Sequence, residues 1–206
     1  MGSDLAQPQF GWFGPWHENA MSDLRILSNL PTGETIDDGF IELRANMLLA
    51  LGTCSHPIVA VTSAHPVEPR QHVAAHLAAA AAQTGRRVIL VDADVDTAVQ
   101  TESAPHAISD SLSVIPAPAV VAGDPALLSD PESISALRSK ANAHDLMIVA
   151  APPILDVPDT RALAAHADGT LLVVIHGRTN REDAIRAAAI LRHEDINLLG
   201  AVVVED

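Results

Sequence analysis

The stretch Thr62-Ser63-Ala64-His65-Pro66-Val67-Glu68-Pro69-Arg70-Gln71-His72 contains the residue types that come nearest to a recognisable chemistry. It follows an apolar run over 58–61 and leads into a helical pattern. It therefore reads as a turn between a strand and a helix, where backbone N–H groups can surround a phosphate. Such a turn takes glycines for close backbone approach, then a lysine for charge and a Ser or Thr for magnesium. Here Val67 and Pro69 occupy the glycine positions, Arg70 that of the lysine, and Gln71 and His72 those of the hydroxyl. No glycine occurs from Thr53 through Thr84, and the only lysine, Lys140, lies far off in sequence. Pro69 also removes an amide donor near the helix start. Losing one electrostatic contact of this kind costs about 3–4 kcal/mol, and several are replaced. Tight binding of Mg·ATP is not expected, and neither is turnover.

Three further segments end in groups of interest. Val88-Ile89-Leu90-Val91 runs into Asp92, Asp94 and Asp96, carboxylates at a strand end, where α/β folds bind ligands. They could hold magnesium, but strand-end acids more commonly cap a helix or face water. Leu146-Met147-Ile148-Val149-Ala150-Ala151 ends in Pro152-Pro153, and Gly169 to Ile175 forms another apolar run. Ser63, Glu68, Arg70, Gln71, His72, Asp92 and Asp94 together make up a degenerate nucleotide pocket with no assigned catalytic residue. His72 and His76 stand four apart on the predicted helix, with His65 in the turn, a set that could bind zinc. Val73 takes the place of a catalytic glutamate, and ten histidines make such spacing common, so no metal site is assigned. No G-x-S-x-G elbow accompanies Ser63 or Ser55, which sets aside a serine hydrolase.

The elements that must position these groups are strands over 58–63, 87–92, 112–116, 145–150, 170–175 and 198–204. Nearly all are continuous Val/Ile/Leu/Ala runs, the pattern of strands buried on both faces. Helices are expected over 36–51, 69–84, 131–143, 158–166 and 179–193. Asp130-Pro131-Glu132-Ser133 supplies an N-cap with proline at the first helical position. The Ala-rich run 78–82 is strong helix former. The fold class is α/β: a doubly wound, mostly parallel sheet flanked by helices. Residues 1–24 form an aromatic N-terminal tail carrying Phe10, Trp12, Phe13 and Trp16, and residues 25–206 form the domain. Beyond Phe40 the core has no aromatic ring.

With 206 residues, 48% hydrophobic and 18% charged, the chain is a globular domain with a short appendage. Its net charge of −14 argues against nucleic acid. One cysteine, Cys54, excludes an internal disulfide. No stretch reads as a signal peptide or membrane span, so the expected location is the cytoplasm.

The order of Thr62-Ser63-Ala64-His65-Pro66 with Glu68, Asp92-Ala93-Asp94 and Pro152-Pro153 resembles the cytoplasmic domain of bacterial tyrosine kinases of the polysaccharide co-polymerase system. These are a branch of the MinD/ParA-like P-loop ATPases. Ahead of the loop, Leu43, Arg44 and Asn46 match the family's leading helix, although Ile41 stands where a further arginine is expected. The family's magnesium-side Asp is Ala150, its Thr is Ala151, and the chain has no tyrosine for a terminal phosphorylation cluster. The resemblance covers about residues 24–206. It implies a P-loop ATPase ancestry and a role in synthesis and export of capsule, exopolysaccharide or adhesin. The implied partner is the cytoplasmic end of a membrane-embedded chain-length regulator, which would hold the chain at the inner membrane. Arg44 is implied as a contact between copies in a homo-oligomer. With the loop replaced, the expectation is a scaffold or regulator that is not an enzyme and takes no cofactor. Two other readings are an active MinD/ParA-like ATPase that positions cargo or division proteins, and a metal- or small-molecule-binding regulator.

Overall fold

A computed structural model describes residues 29–31, 36–93, 105–115 and 129–205. The tail over 1–24 and the acids Asp94 and Asp96 lie outside the described residues. In chain order come α1 (Asp38–Leu51), β1 (Ile58–Ser63), α2 (Arg70–Ala82), β2 (Val88–Asp92), β3 (His106–Ala107) and β4 (Leu112–Ile115). They are followed by α3 (Pro131–Ala141), β5 (Leu146–Ala150), α4 (Thr160–His166), β6 (Gly169–Ile175), α5 (Arg181–His193) and β7 (Leu198–Val204). The sheet order is β3-β4-β2-β5-β1-β6-β7, parallel throughout except for the antiparallel β3–β4 pair. The two-residue β3 has no counterpart in the sequence reading, because it is too short to leave a periodic signal.

Alternate side chains of each central strand enter opposite cores, as a strand's period of two requires. Val59, Val61, Val88, Leu90, Leu146 and Ile148 pack towards α1 and α2. Ile58, Ile89, Val91, Met147 and Val149 pack with Leu137 of α3 and Leu163 of α4. Both faces are covered, which is why these strands carry no polar alternation. Ala78 to Ala82 are at most 5% exposed because α2 lies between the sheet and α1. Small side chains there permit a close approach on two sides, so the run serves packing as well as helix propensity.

Helix ends follow local chemistry. Asp130 accepts from the Ser133 N–H at 2.9 Å, with Pro131 at the first helical position, as expected from sequence. Asn180 caps α5 by accepting from the Glu182 N–H at 2.8 Å. By contrast α2 is preceded at its N-cap by Pro69, whose side chain makes no capping bond. After α2 the chain turns through Gly85 at φ 81°, a conformation that suits glycine. At the N-terminal edge of the sheet, Asp168 ties three segments together. Its Oδ2 accepts from the Ile58 N–H and from Arg138 Nη1, each at 2.7 Å.

Candidate functional site

The parallel strands β1, β2, β5 and β6 end together on one edge, where the β1–α2 loop and the segment after β5 meet. This is the edge where open α/β sheets bind ligands. The β1–α2 loop is held from within. Ser63 Oγ donates to the His65 carbonyl at 2.7 Å, and Thr62 Oγ1 donates to the Pro152 carbonyl at 2.7 Å. The Ile154 N–H donates to the Ser63 carbonyl at 2.9 Å, so the proline pair after β5 is fastened to β1.

Glu68 and Arg70 are each 4% exposed. Glu68 Oε2 accepts from the His65 N–H at 2.9 Å, and Oε1 accepts from Thr179 Oγ1 at 3.1 Å. Arg70 Nε donates to the Ala151 carbonyl at 2.9 Å. The guanidinium thus engages the alanine that stands in place of the family's threonine. Gln71 Nε2 donates to Asp92 Oδ1 at 3.4 Å, and Asp92 is 2% exposed. Ser63, Glu68, Arg70, Gln71 and Asp92 therefore lie around one strand edge, as their sequence order suggested.

His72 lies elsewhere. Its ring is 3.9 Å from that of His76 and 6.0 Å from Phe40 of α1. Consecutive helical residues diverge by about 100°, so Arg70 and His72 cannot both serve the strand edge, and His72 faces α1. Burial, then the neighbouring His76, lowers the pKa of His72 from its ordinary value. His65 is engaged apart from this pair, with Asp156 at 2.9 Å and Asp183 at 3.3 Å. Among the described residues, no group of three or more His, Cys, Asp or Glu side chains is arranged to hold a metal ion. Arg44 Nη1 donates to the Ala80 carbonyl at 3.0 Å, an intrachain tie between α1 and α2.

Thr179, Asp156, Asp183 and the Ala151 carbonyl were missed by sequence reasoning. Thr179 is 111 positions from Glu68, and Asp156 is 91 from His65. No local pattern marks such pairs.

No protein-family model matches the chain. Among curated proteins, tyrosine-protein kinase YwqD of Bacillus subtilis (strain 168) is 31% identical over 189 residues, covering 78% of this chain and 77% of that protein. The chain belongs to the bacterial tyrosine kinase family. A second relative, the succinoglycan biosynthesis transport protein ExoP of Rhizobium meliloti (strain 1021), is 30% identical over 147 residues, or 59% of this chain. Coverage of the longer relatives is small: 19% of ExoP and 26% of the putative tyrosine-protein kinase EpsB of Ralstonia solanacearum.

The kinase domain of Escherichia coli tyrosine kinase ETK shares the fold, with TM-score 0.70 and 21% identity over 81% of this chain and 75% of that one. MinD of Aquifex aeolicus is more distant, with TM-score 0.53 and 18% identity over 72% of this chain and 68% of that one. The mostly parallel sheet expected from sequence stands, and it is the fold that these structures share with this chain. The expectation that the chain is not an enzyme is corrected. It rested on the replaced loop glycines and lysine, on Ala150 in place of the family's Asp and on the absence of tyrosine, whereas YwqD, on which membership rests, is named a tyrosine-protein kinase, as is ETK.

Proposed function

We propose that this chain works in the synthesis and export of a bacterial surface polysaccharide, as the kinase-family module that associates with a membrane-embedded chain-length regulator. The observation that carries the reading is the match to ExoP, named a succinoglycan biosynthesis transport protein. A module of this kind acts through what it docks on, so a scaffolding or regulatory contribution is part of the proposal. Arg44 is assigned to a contact between copies, made by the guanidinium whose Nη1 donates to the Ala80 carbonyl. Among the described residues no helix is long and apolar enough to cross a membrane, and attachment through the partner is part of the proposal.

Weak Mg·ATP binding by the isolated chain belongs to the same proposal. The loop offers Val67 and Pro69 where backbone must approach a phosphate, and Arg70 is engaged with Ala151. Phosphoryl transfer depends on positioning and on neutralising spreading negative charge. Here Arg70, Gln71 and Asp92 would have to rearrange to supply both.

Calorimetric titration of Mg·ATP, paired with capture by the regulator's cytoplasmic segments, tests the reading. The expected result is association that is equally strong with and without nucleotide, and no heat below millimolar Mg·ATP. Micromolar affinity would remove the nucleotide part, and failure to associate would remove the polysaccharide part. Labelled phosphate transferred to tyrosine on the captured partner would report the kinase activity for which the family is named.

A further inference from the structure

His65 stands where three separate stretches of chain meet at the C-terminal edge of the sheet. Its Nδ1 is 2.9 Å from Oδ2 of Asp156, in the turn after β5. Its Nε2 is 3.3 Å from Oδ2 of Asp183, in the first turn of α5. A neutral imidazole has one N–H and one lone pair, so it can donate to only one of these carboxylates and must point its lone pair at the other. The imidazolium donates to both.

The backbone of the same residue is fixed as well. Its N–H donates to Glu68, which accepts from Thr179 just before α5. Backbone and ring thus both connect the loop to the α5 side, and the ring alone of this residue reaches the β5–α4 turn. Among the described residues, the charged groups facing His65 are Asp156 from the β5–α4 turn, Asp183 from α5 and Glu68 from its own loop.

We propose that His65 is a proton-operated latch. As imidazolium it fastens the β1–α2 loop to both the β5–α4 turn and α5. When the proton passes to solvent, the ring loses its tie to one of these neighbours, and the loop is held there only by its remaining bonds, such as Leu155 N–H to the Ala64 carbonyl. His65 is a positioning residue in this scheme, acting through the loop that carries Glu68 and Arg70. The hydrogen bond that the ring donates to Asp156, reinforced by that residue's charge and by Asp183, raises the ring's pKa against the opposing effect of burial. A group whose pKa is raised on folding contributes stability below its unfolded value, and that contribution is lost as pH rises through the folded value. The latch is therefore closed in acid and opens towards alkaline pH. Nucleotide binding is not required for any part of this, so the inference stands or falls apart from the function proposed above.

The test is a proton NMR titration of the full chain, with His65→Gln used to assign the ring signal. Backbone amides of residues 64–68 are followed alongside. The expected ring midpoint lies above that of an ordinary histidine and falls in both Asp156→Asn and Asp183→Asn. The loop amides should shift with the ring's midpoint in the wild type and lose that step in His65→Gln. An ordinary midpoint, or loop amides that ignore the ring, would overturn the latch. The wild-type amide titration decides this even if a variant fails to fold. Any titrating ring shifts neighbouring amides through its charge, so loosening is read from the Leu155 amide, which donates to the Ala64 carbonyl. That amide should exchange faster above the ring's midpoint in the wild type, and unchanged exchange there would also overturn the latch.

Discussion

A guanidinium is planar and carries five N–H donors, so Arg70 can commit its Nε to the Ala151 carbonyl and engage a further partner as well. A lysine could not make that sideways bond along a buried strand end. The residue at the lysine position therefore shapes the loop as well as charging it. Arg87 works by the same geometry at the other edge of the sheet. Its Nη2 is 2.8 Å from Asp145 Oδ1, and its backbone N–H donates to Oδ2 at 2.9 Å. These bonds hold the Asp145 carboxyl down at about 2. A depressed carboxylate stabilises the fold above its unfolded pKa and loses that contribution as pH falls through the folded value. Arg87 is well exposed and Asp145 about a third exposed, so solvent screening keeps the pair's contribution small. Asp145→Asn should lower stability slightly at pH 7, and the gap to wild type should close between the ordinary carboxylate range and about pH 2. Chemical denaturation across that range reads it.

Caps and close approaches govern the elements. Asp130 satisfies an otherwise orphaned N–H at the start of α3, and Asp130→Ala should cost about 1 kcal/mol in denaturant midpoint at unchanged slope. Gly169 opens β6 under the side chain of Leu199, and a Cβ there would meet Leu199 Cδ1 at 2.6 Å. Gly169→Ala should therefore cost about 1–3 kcal/mol through overpacking, measurable by thermal unfolding. The segments with the clearest sequence signals were those governed by their own neighbours. The strand runs and the Asp130–Pro131 start matched to within a residue or two. Helix ends such as that of α2 were overrun because Gln83 and Thr84 form a turn with no local stop signal before Gly85.

Across the whole molecule, coverage of the sheet is uneven. Ile148 on central β5 is fully buried, whereas Val203 on β7 is 59% exposed. Ile148→Ala should cost about 2–5 kcal/mol because the surrounding core cannot collapse into the space. Val203→Thr should stay within about 0.5 kcal/mol. Equal effects in denaturant melts would contradict the described burial. A core of Val, Leu, Ile and Ala must fill its volume with close backbone approach, which the alanines of α2 supply.

The amino-acid order alone determined the parallel α/β layout, because strands buried on both faces and helices with their own caps leave local, periodic marks. It also placed Ser63, Glu68, Arg70, Gln71 and Asp92 at strand ends, and hence at one edge. The tertiary structure decided what those residues touch. Glu68 meets Thr179, His65 sits between Asp156 and Asp183, Arg70 turns to Ala151, and His72 faces Phe40. Such contacts join residues far apart along the chain, and only the packing of helices against a shared sheet sets their distances.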